Sequence, residues 1–434
     1  LASPPRGGLA LVESLRTSAR RLTPGEQLRS VRKPISKRAC TNSTPTSCMM
    51  RASFQAARRV RTVRRLAVAP SSLKALIAHA EEATHGDLYA AALRAHSDVS
   101  TRCEAQLARL AALEATPGAN VRGLGTLSAL YRGVVGDLAA GDDLAATAKT
   151  PEDLNHLHRS LKSVEERVAL FVPSVVDALK DGAVPDAAAA LLEDCLAAHI
   201  GAATLLRNHL LAHAPELENP GATLAAAPIR GVGAARAEAP LAAIVGNAVG
   251  DAQLLCEHAY DLADPPPVSV AGDGAAACVP AHAVHVVREL LKNALVATIE
   301  RHVAAHGDVP DDWDEPLPPV SVEVGASSIA VSDAGGGAPQ ADLDACLHVR
   351  PGLARYDRLD EPGGSYNSGS QKPISGVGMG LPLSKLYARH FGGGLALVAS
   401  AGGVTATLEL PTDPDAPEAL PAAPDVANTA WGRR

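Results

Sequence analysis

Apolar residues recur every three to four positions through most of 70–213, and the runs are broken by Thr116-Pro117-Gly118 and by Gly182. That period is the mark of amphipathic helices, and the breaks are turn formers. The pattern predicts helices over 71–82, 86–114, 123–139, 151–180 and 185–213. Four of these are long and closely connected, which is the arrangement of a helical bundle. Residues 214–240 are rich in Ala, Pro and Gly and read as a linker. Farther on, Val320–Val324 and 329–331 read as short strands around a tight turn, while helical periods return over 288–301 and 383–390. The chain is thus expected to be α+β, helices first and a mixed region after.

The stretch RELLKNALVATIER, residues 288–301, carries the most chemistry. Glu289 and Asn293 are four apart, so at 3.6 residues per turn they share a helix face, with His285 one turn earlier and Lys292 alongside. Leu290, Leu291, Ala294, Leu295, Ala297 and Ile299 supply the opposite, apolar side. A carboxylate beside an amide suits Mg²⁺, which takes oxygen ligands, keeps waters and bridges to phosphates. Asn293 is then the metal ligand and Glu289 a base. An ordinary amphipathic helix with a solvated polar face accounts for the same spacing when the stretch is taken alone.

Two glycine clusters downstream weigh against that plainer account. The second strand runs into Ser332-Asp333-Ala334-Gly335-Gly336-Gly337, where glycines let backbone approach a ligand beside a fixed carboxylate. Asp333 suits the exocyclic amine of adenine, because an ionised carboxylate only accepts hydrogen bonds. Gly376-Val377-Gly378-Met379-Gly380-Leu381 opens the last helix, and amides at a glycine-rich helix start suit phosphates. Either cluster alone is no more than a turn; in this order they point to a nucleotide.

The same order resembles the ATPase fold shared by gyrase, the Hsp90 chaperone, histidine kinases and MutL. Within it, ELLKNALVATIERH, VSDAGGGAPQADLD and GVGMGLPLSKLYARHFGGGLAL resemble the mitochondrial pyruvate dehydrogenase and branched-chain 2-oxoacid dehydrogenase kinases. LLCEHAY, residues 254–260, is similar to the start of that family's nucleotide domain. The resemblance is sharp over 240–411 and faint before. It implies a bundle over 67–213 and an α/β sandwich over 241–412 that binds ATP and Mg²⁺ under a mobile lid. It makes Glu289 the general base, His285 the residue that tunes it, Asn293 the Mg²⁺ ligand, Asp333 the adenine reader and 376–380 the phosphate loop. Lys292, Gly335, Gly337, Leu381 and Thr405 complete the expected nucleotide contacts. Three positions depart from the family pattern: Val296 and Ala203 replace arginines, and Val404 replaces a glycine. Arg301 or a lid residue is the candidate substitute for the arginine missing at Val296.

Charge and composition refine the picture. Residues 1–66 hold 15 Lys and Arg against two acids, the composition of an organelle transit peptide, although a basic nucleic-acid arm is a competing reading. Phe54 is the one aromatic residue there, short of the aromatic interleaving a stacking platform requires. The first methionines are Met49 and Met50, and RASFQAARRVRTVRRLAV after them is transit-like by itself, so the true start is expected at one of the two. Seven cysteines without a CxxC pair read as free thiols in a reducing compartment and argue against a zinc site. No run of 18 apolar residues marks a membrane span. Residues 338–375 lack a sustained period and are expected to form the lid, and 413–434, Pro- and Ala-rich, a disordered tail with Trp431 as a candidate docking anchor.

The expected activity is transfer of the γ-phosphoryl of MgATP to a serine on the decarboxylase component of the pyruvate dehydrogenase complex, in the mitochondrial matrix. The resemblance also implies a homodimer, docking on a lipoyl domain and 2-oxoacid control through the bundle. The branched-chain enzyme is the alternative substrate. A self-phosphorylating histidine kinase is the different-class alternative, but no H-box with His followed by Glu or Asp and Pro precedes the nucleotide domain. A non-catalytic scaffold of the same fold is a third.

Overall fold

The computed structural model describes residues 68–82, 88–116, 123–147, 150–180, 186–218, 233–260, 262, 264–307, 317–349, 378–400 and 402–422. The basic leader, Met49, Met50, most of the expected lid, Gly376, Val377 and Trp431 lie outside them. The described residues cluster as one compact unit.

The helical region contains α1 (Leu73–Glu82), α2 (Leu88–Glu114), α3 (Leu124–Thr147), α4 (Pro151–Val168), α5 (Phe171–Lys180) and α6 (Asp186–Glu218). The start of α4 is set by a reciprocal cap. Thr150 Oγ1 accepts from the Asp153 amide at 3.2 Å, the Thr150 amide donates to Asp153 Oδ2 at 3.0 Å, and Pro151 sits at the first helical position. The single helix predicted over 151–180 is two, divided at Ala169-Leu170. Pro173 explains the break, since it has no N–H to give and its ring meets the carbonyl four residues back. Helix α6 is central, packing against α1, α2 and α4. It runs five residues past the predicted end, into the expected linker. Its stretch Ala188–His213 is long and apolar enough to cross a membrane, yet 67% of it is buried within the protein, as a core helix requires.

Residues 233–422 add β1 (Arg236–Pro240), α7 (Leu241–Tyr260), β2 (Val268–Gly272), β3 (Ala275–Cys278), α8 (Pro280–His306), β4 (Val320–Val324), β5 (Ser328–Ser332), α9 (Gln340–Cys346), α10 (Gly380–Arg389), β6 (Gly394–Ala399) and β7 (Val404–Glu409). The strands β1 and β3 form an antiparallel pair, and the other five a mixed sheet in the order β2-β4-β5-β7-β6. Only β2 and β4 are parallel, with Val268 opposite Val320; Ser332 of β5 lies opposite Thr405 of β7. Alternate residues Val320, Val322 and Val324 of β4, and Ile329 and Val331 of β5, are buried, while α7 and α8 cover that face. Helix α8 stops at Gly307, which takes the left-handed conformation at φ 90° and donates its amide to Val303 O.

The two regions have separate cores that meet at α10. Met379, Leu383 and Leu386 belong to the helical core, and Tyr387 packs on both.

The expectation of a disordered tail from 413 is corrected over 413–422. Glu418 is buried there against Arg102 of α2, which donates from Nη1 to Oε2 at 3.1 Å and from Nη2 to Oε1. His390 Nε2 lies 3.2 Å from Glu418 Oε2, and the Ser71 amide donates to Oε1 at 2.6 Å. Lys74 pairs with Asp415 at 2.9 Å, and Arg109 donates to the carbonyls of Pro421 and Ala422. Composition missed this strap because its anchors are cations more than 300 positions away.

Candidate nucleotide site

Helix α8 presents the first half of the site. Leu290, Leu291, Ala294, Leu295, Val296 and Ile299 are buried, which turns Glu289, Lys292 and Asn293 outward. Asn293 is exposed, with its amide directed away from the core. Lys292 Nζ donates to Glu289 Oε2 at 2.5 Å. Lys292 is therefore engaged with the expected base.

Glu289 lies against the start of α10. A Cβ built on Gly380 would collide with Glu289 Oε2, so the close approach exists because residue 380 has no side chain. Among the described residues no side chain caps α10, whose N-cap is Met379, which leaves its first amides as candidates for an anion. Gly378, at φ 75°, turns the chain into the helix. The side chains of Met379 and Leu381 pack into the two cores, so these residues can meet a ligand only through backbone.

The second half stands at the end of β5. Asp333 Oδ1 accepts from the Gly335 amide at 2.8 Å and the Val404 amide at 3.3 Å, while the Asp333 amide donates to Val404 O at 3.0 Å. Oδ2 is left for a ligand. Burial raises the Asp333 pKa, against the lowering effect of the two amides. Thr405 Oγ1 and Ser332 Oγ are 2.9 Å apart on the adjoining strands. Gly335 passes so close to Ala297 of α8 that a side chain there would strike its Cβ and backbone, and Gly337 takes φ 78°.

Two departures from the expected pattern find explanations. The glycine this loop needs is Gly403, where a Cβ would strike Asp333 O; Val404 only lends its backbone. The pair Gly402-Gly403 in the sequence was the signal for it. Arg301, the candidate substitute for the arginine missing at Val296, donates to Ala334 O at 2.6 Å and Gly402 O at 3.1 Å. It ties the two turns beside Asp333 together and is not free for a phosphate. Val296 itself is buried.

His285, one turn before Glu289, packs on α10. Its ring meets Tyr387 edge to face with centroids 5.0 Å apart, and its buried Nε2 has no hydrogen-bond partner. Burial lowers its pKa, opposed by the Glu289 charge, so the imidazole is neutral near pH 7. With Thr204, Arg207, Arg236, His282 and Arg288 it lines a cavity of about 470 Å³ between α6 and α8, and none of the lining residues is acidic.

An amide-bearing helix face, a carboxylate fixed at a strand end and an uncapped glycine helix start, all on a mixed sheet, define a nucleotide-binding domain. Residues 278–414 match the family described as histidine kinase-, DNA gyrase B-, and HSP90-like ATPase. This region of the chain has that ATPase fold.

The relatives within it are the mitochondrial pyruvate dehydrogenase kinases, as the motifs predicted. A protein of Ascaris suum named [Pyruvate dehydrogenase (acetyl-transferring)] kinase, mitochondrial, is 36% identical over 196 residues, 41% of this chain and 43% of the relative. Proteins of the same name from Schizosaccharomyces pombe and Arabidopsis thaliana are each 32% identical, over 39% and 51% of this chain. The matches span 40% of the yeast relative and 57% of the plant one.

Proposed function

We propose that this chain is a mitochondrial serine protein kinase that uses MgATP to phosphorylate the decarboxylase component of the pyruvate dehydrogenase complex and switch it off. The observation that carries this reading is the contact between Glu289 and Gly380, which sets a carboxylate against uncapped helix-start amides. A nucleotide-binding scaffold has no need of a carboxylate there. The names of the relatives favour pyruvate dehydrogenase over the branched-chain enzyme and favour a mitochondrial location. The matrix as compartment, a lipoyl domain as docking site and a homodimer belong to the same proposal.

In this mechanism Asp333 Oδ2 accepts from the adenine amine, and the amides of α10 hold the phosphates. The residues fit a Mg²⁺ ion, since Asn293 offers an exposed amide oxygen on the face that carries Glu289. Bound there, Mg²⁺ supplies neutralisation of phosphate charge. Glu289 orients the serine hydroxyl and takes its proton as Oγ bonds to the γ-phosphorus and the bond to the ADP oxygen breaks. Lys292 holds the carboxylate in place. The acceptor segment enters from the cavity beside His285, whose arginines suit acidic side chains flanking the serine.

Glu289→Gln keeps shape and removes the base. ATP binding by calorimetry is expected to stay near wild type while phosphorylation of the decarboxylase component falls about 10² to 10⁴-fold. Transfer at the wild-type rate by the variant contradicts the mechanism.

A further inference from the structure

Three histidines converge in the helical region, far from the nucleotide site in sequence and in role. His209 and His213 are four apart on α6, so both project from one face, and His79 of α1 meets them from the facing helix. One ring nitrogen from each falls within 4.8 Å of the others. His209 and His213 are almost fully buried, at 0% and 1% exposure. Buried imidazole nitrogens are costly unless something accepts or donates to them. His79 Nε2 and His209 Nδ1 are 3.2 Å apart, His213 has the His79 backbone as a neighbour, and the buried His209 Nε2 has no hydrogen-bond partner among the described residues.

We infer that His79, His209 and His213 form a site for a divalent transition metal of the zinc class. A tetrahedral zinc with Zn–N about 2.0–2.1 Å sets its nitrogens about 3.3 Å apart, so modest ring rotations close the cluster around an ion. Neutral imidazole is the ligand form. The three imidazoles leave the fourth tetrahedral position to a water or another ligand. Beside the cluster Asn208 already stitches the same elements. It donates to Leu76 O of α1 at 2.8 Å and accepts from the Ala234 amide at 2.7 Å. The metal clamps α1 onto α6. Absence of CxxC pairs does not bear on such a site, which needs no thiolate.

The test uses the untagged full chain, stripped with chelator and dialysed against Zn²⁺, with metal per chain measured by mass spectrometry and melting followed by circular dichroism. One zinc per chain and a Tm several degrees above the stripped protein are expected, because a ligand that binds only the folded state stabilises it. Co²⁺ in its place is expected to give the intense visible absorption of a tetrahedral nitrogen site. His79→Gln, on the more accessible helix, and the pair His209→Gln/His213→Gln are expected to lose metal and Tm gain together. The exposed stacked pair His302 and His306 is the control: His302→Gln/His306→Gln should keep both. No zinc on wild type, zinc lost in the control pair, or zinc unchanged in His79→Gln each overturns the assignment.

Discussion

Replacing Glu418 by Gln tests the strap that crosses the helical region. Burial works against the Glu418 charge, but His390 and Arg102 overcome it and hold the carboxyl at about 2 against an ordinary 4.5. Each pH unit of that difference corresponds to about 1.4 kcal/mol, so the ionised carboxylate contributes ~3 kcal/mol at neutral pH. Removing one partner of a buried pair costs about 3–5 kcal/mol, which agrees. The sign follows from the lowered value. The contribution is complete above 4.5 and is lost as pH falls toward 2, leaving ~1 kcal/mol near pH 3. Glu418→Gln leaves the buried Arg102 guanidinium without a counter-charge there, facing a neutral amide oxygen and Ala69 O at 3.2 Å. Thermal melts near neutral pH are expected to show a Tm lower by about 5–10 °C. The gap to wild type is expected to narrow near pH 3. A variant that melts with wild type at neutral pH, or a gap that widens in acid, would falsify the account of this cluster.

Other substitutions probe the nucleotide site. Gly380→Ala places a methyl where Glu289 Oε2 lies. The carboxylate must swing aside, so transfer is expected to drop about 10-fold or more with no loss of Tm, since Ala favours a helix over Gly by about 1 kcal/mol. A full rate in that variant removes the contact from the mechanism. Asn293→Ala deletes the proposed oxygen ligand, and the Mg²⁺-dependent part of ATP affinity should vanish; calorimetry with and without the ion decides. Asp333→Asn turns an acceptor into a mixed donor and acceptor. Preference for ATP over GTP is expected to fall, and unaltered selectivity would leave Asp333 a purely structural role.

Local signals carried far in the sequence. The period of 3.6 located the long helices, and Glu289, Asn293, Asp333 and Gly380 stood out as candidates because each sits in a short motif whose geometry is local. The break at Pro173 was missed, although proline's missing donor is a local signal for it. What escaped notice depends on distance along the chain. Arg301 holding Ala334 and Gly402, Gly403 making room for Asp333, and Arg102 meeting Glu418 are pairings 33 to 316 positions apart with no local pattern. The histidine cluster was hidden likewise, His79 standing 130 positions from His209.

Tyr387 and its neighbours on α10 have a bearing on motion. The helix whose start is assigned to the phosphates also buries Met379, Leu383 and Leu386 in the helical core. Swinging the two regions apart as rigid bodies would expose those three side chains, at about 1.5–3 kcal/mol each. That is roughly 5–9 kcal/mol, comparable to the whole stability of many domains. Hinge opening between the regions is therefore costly. The helical region and the phosphate helix shift together, so a force applied to α6 by any ligand arrives at Gly380 without crossing a joint.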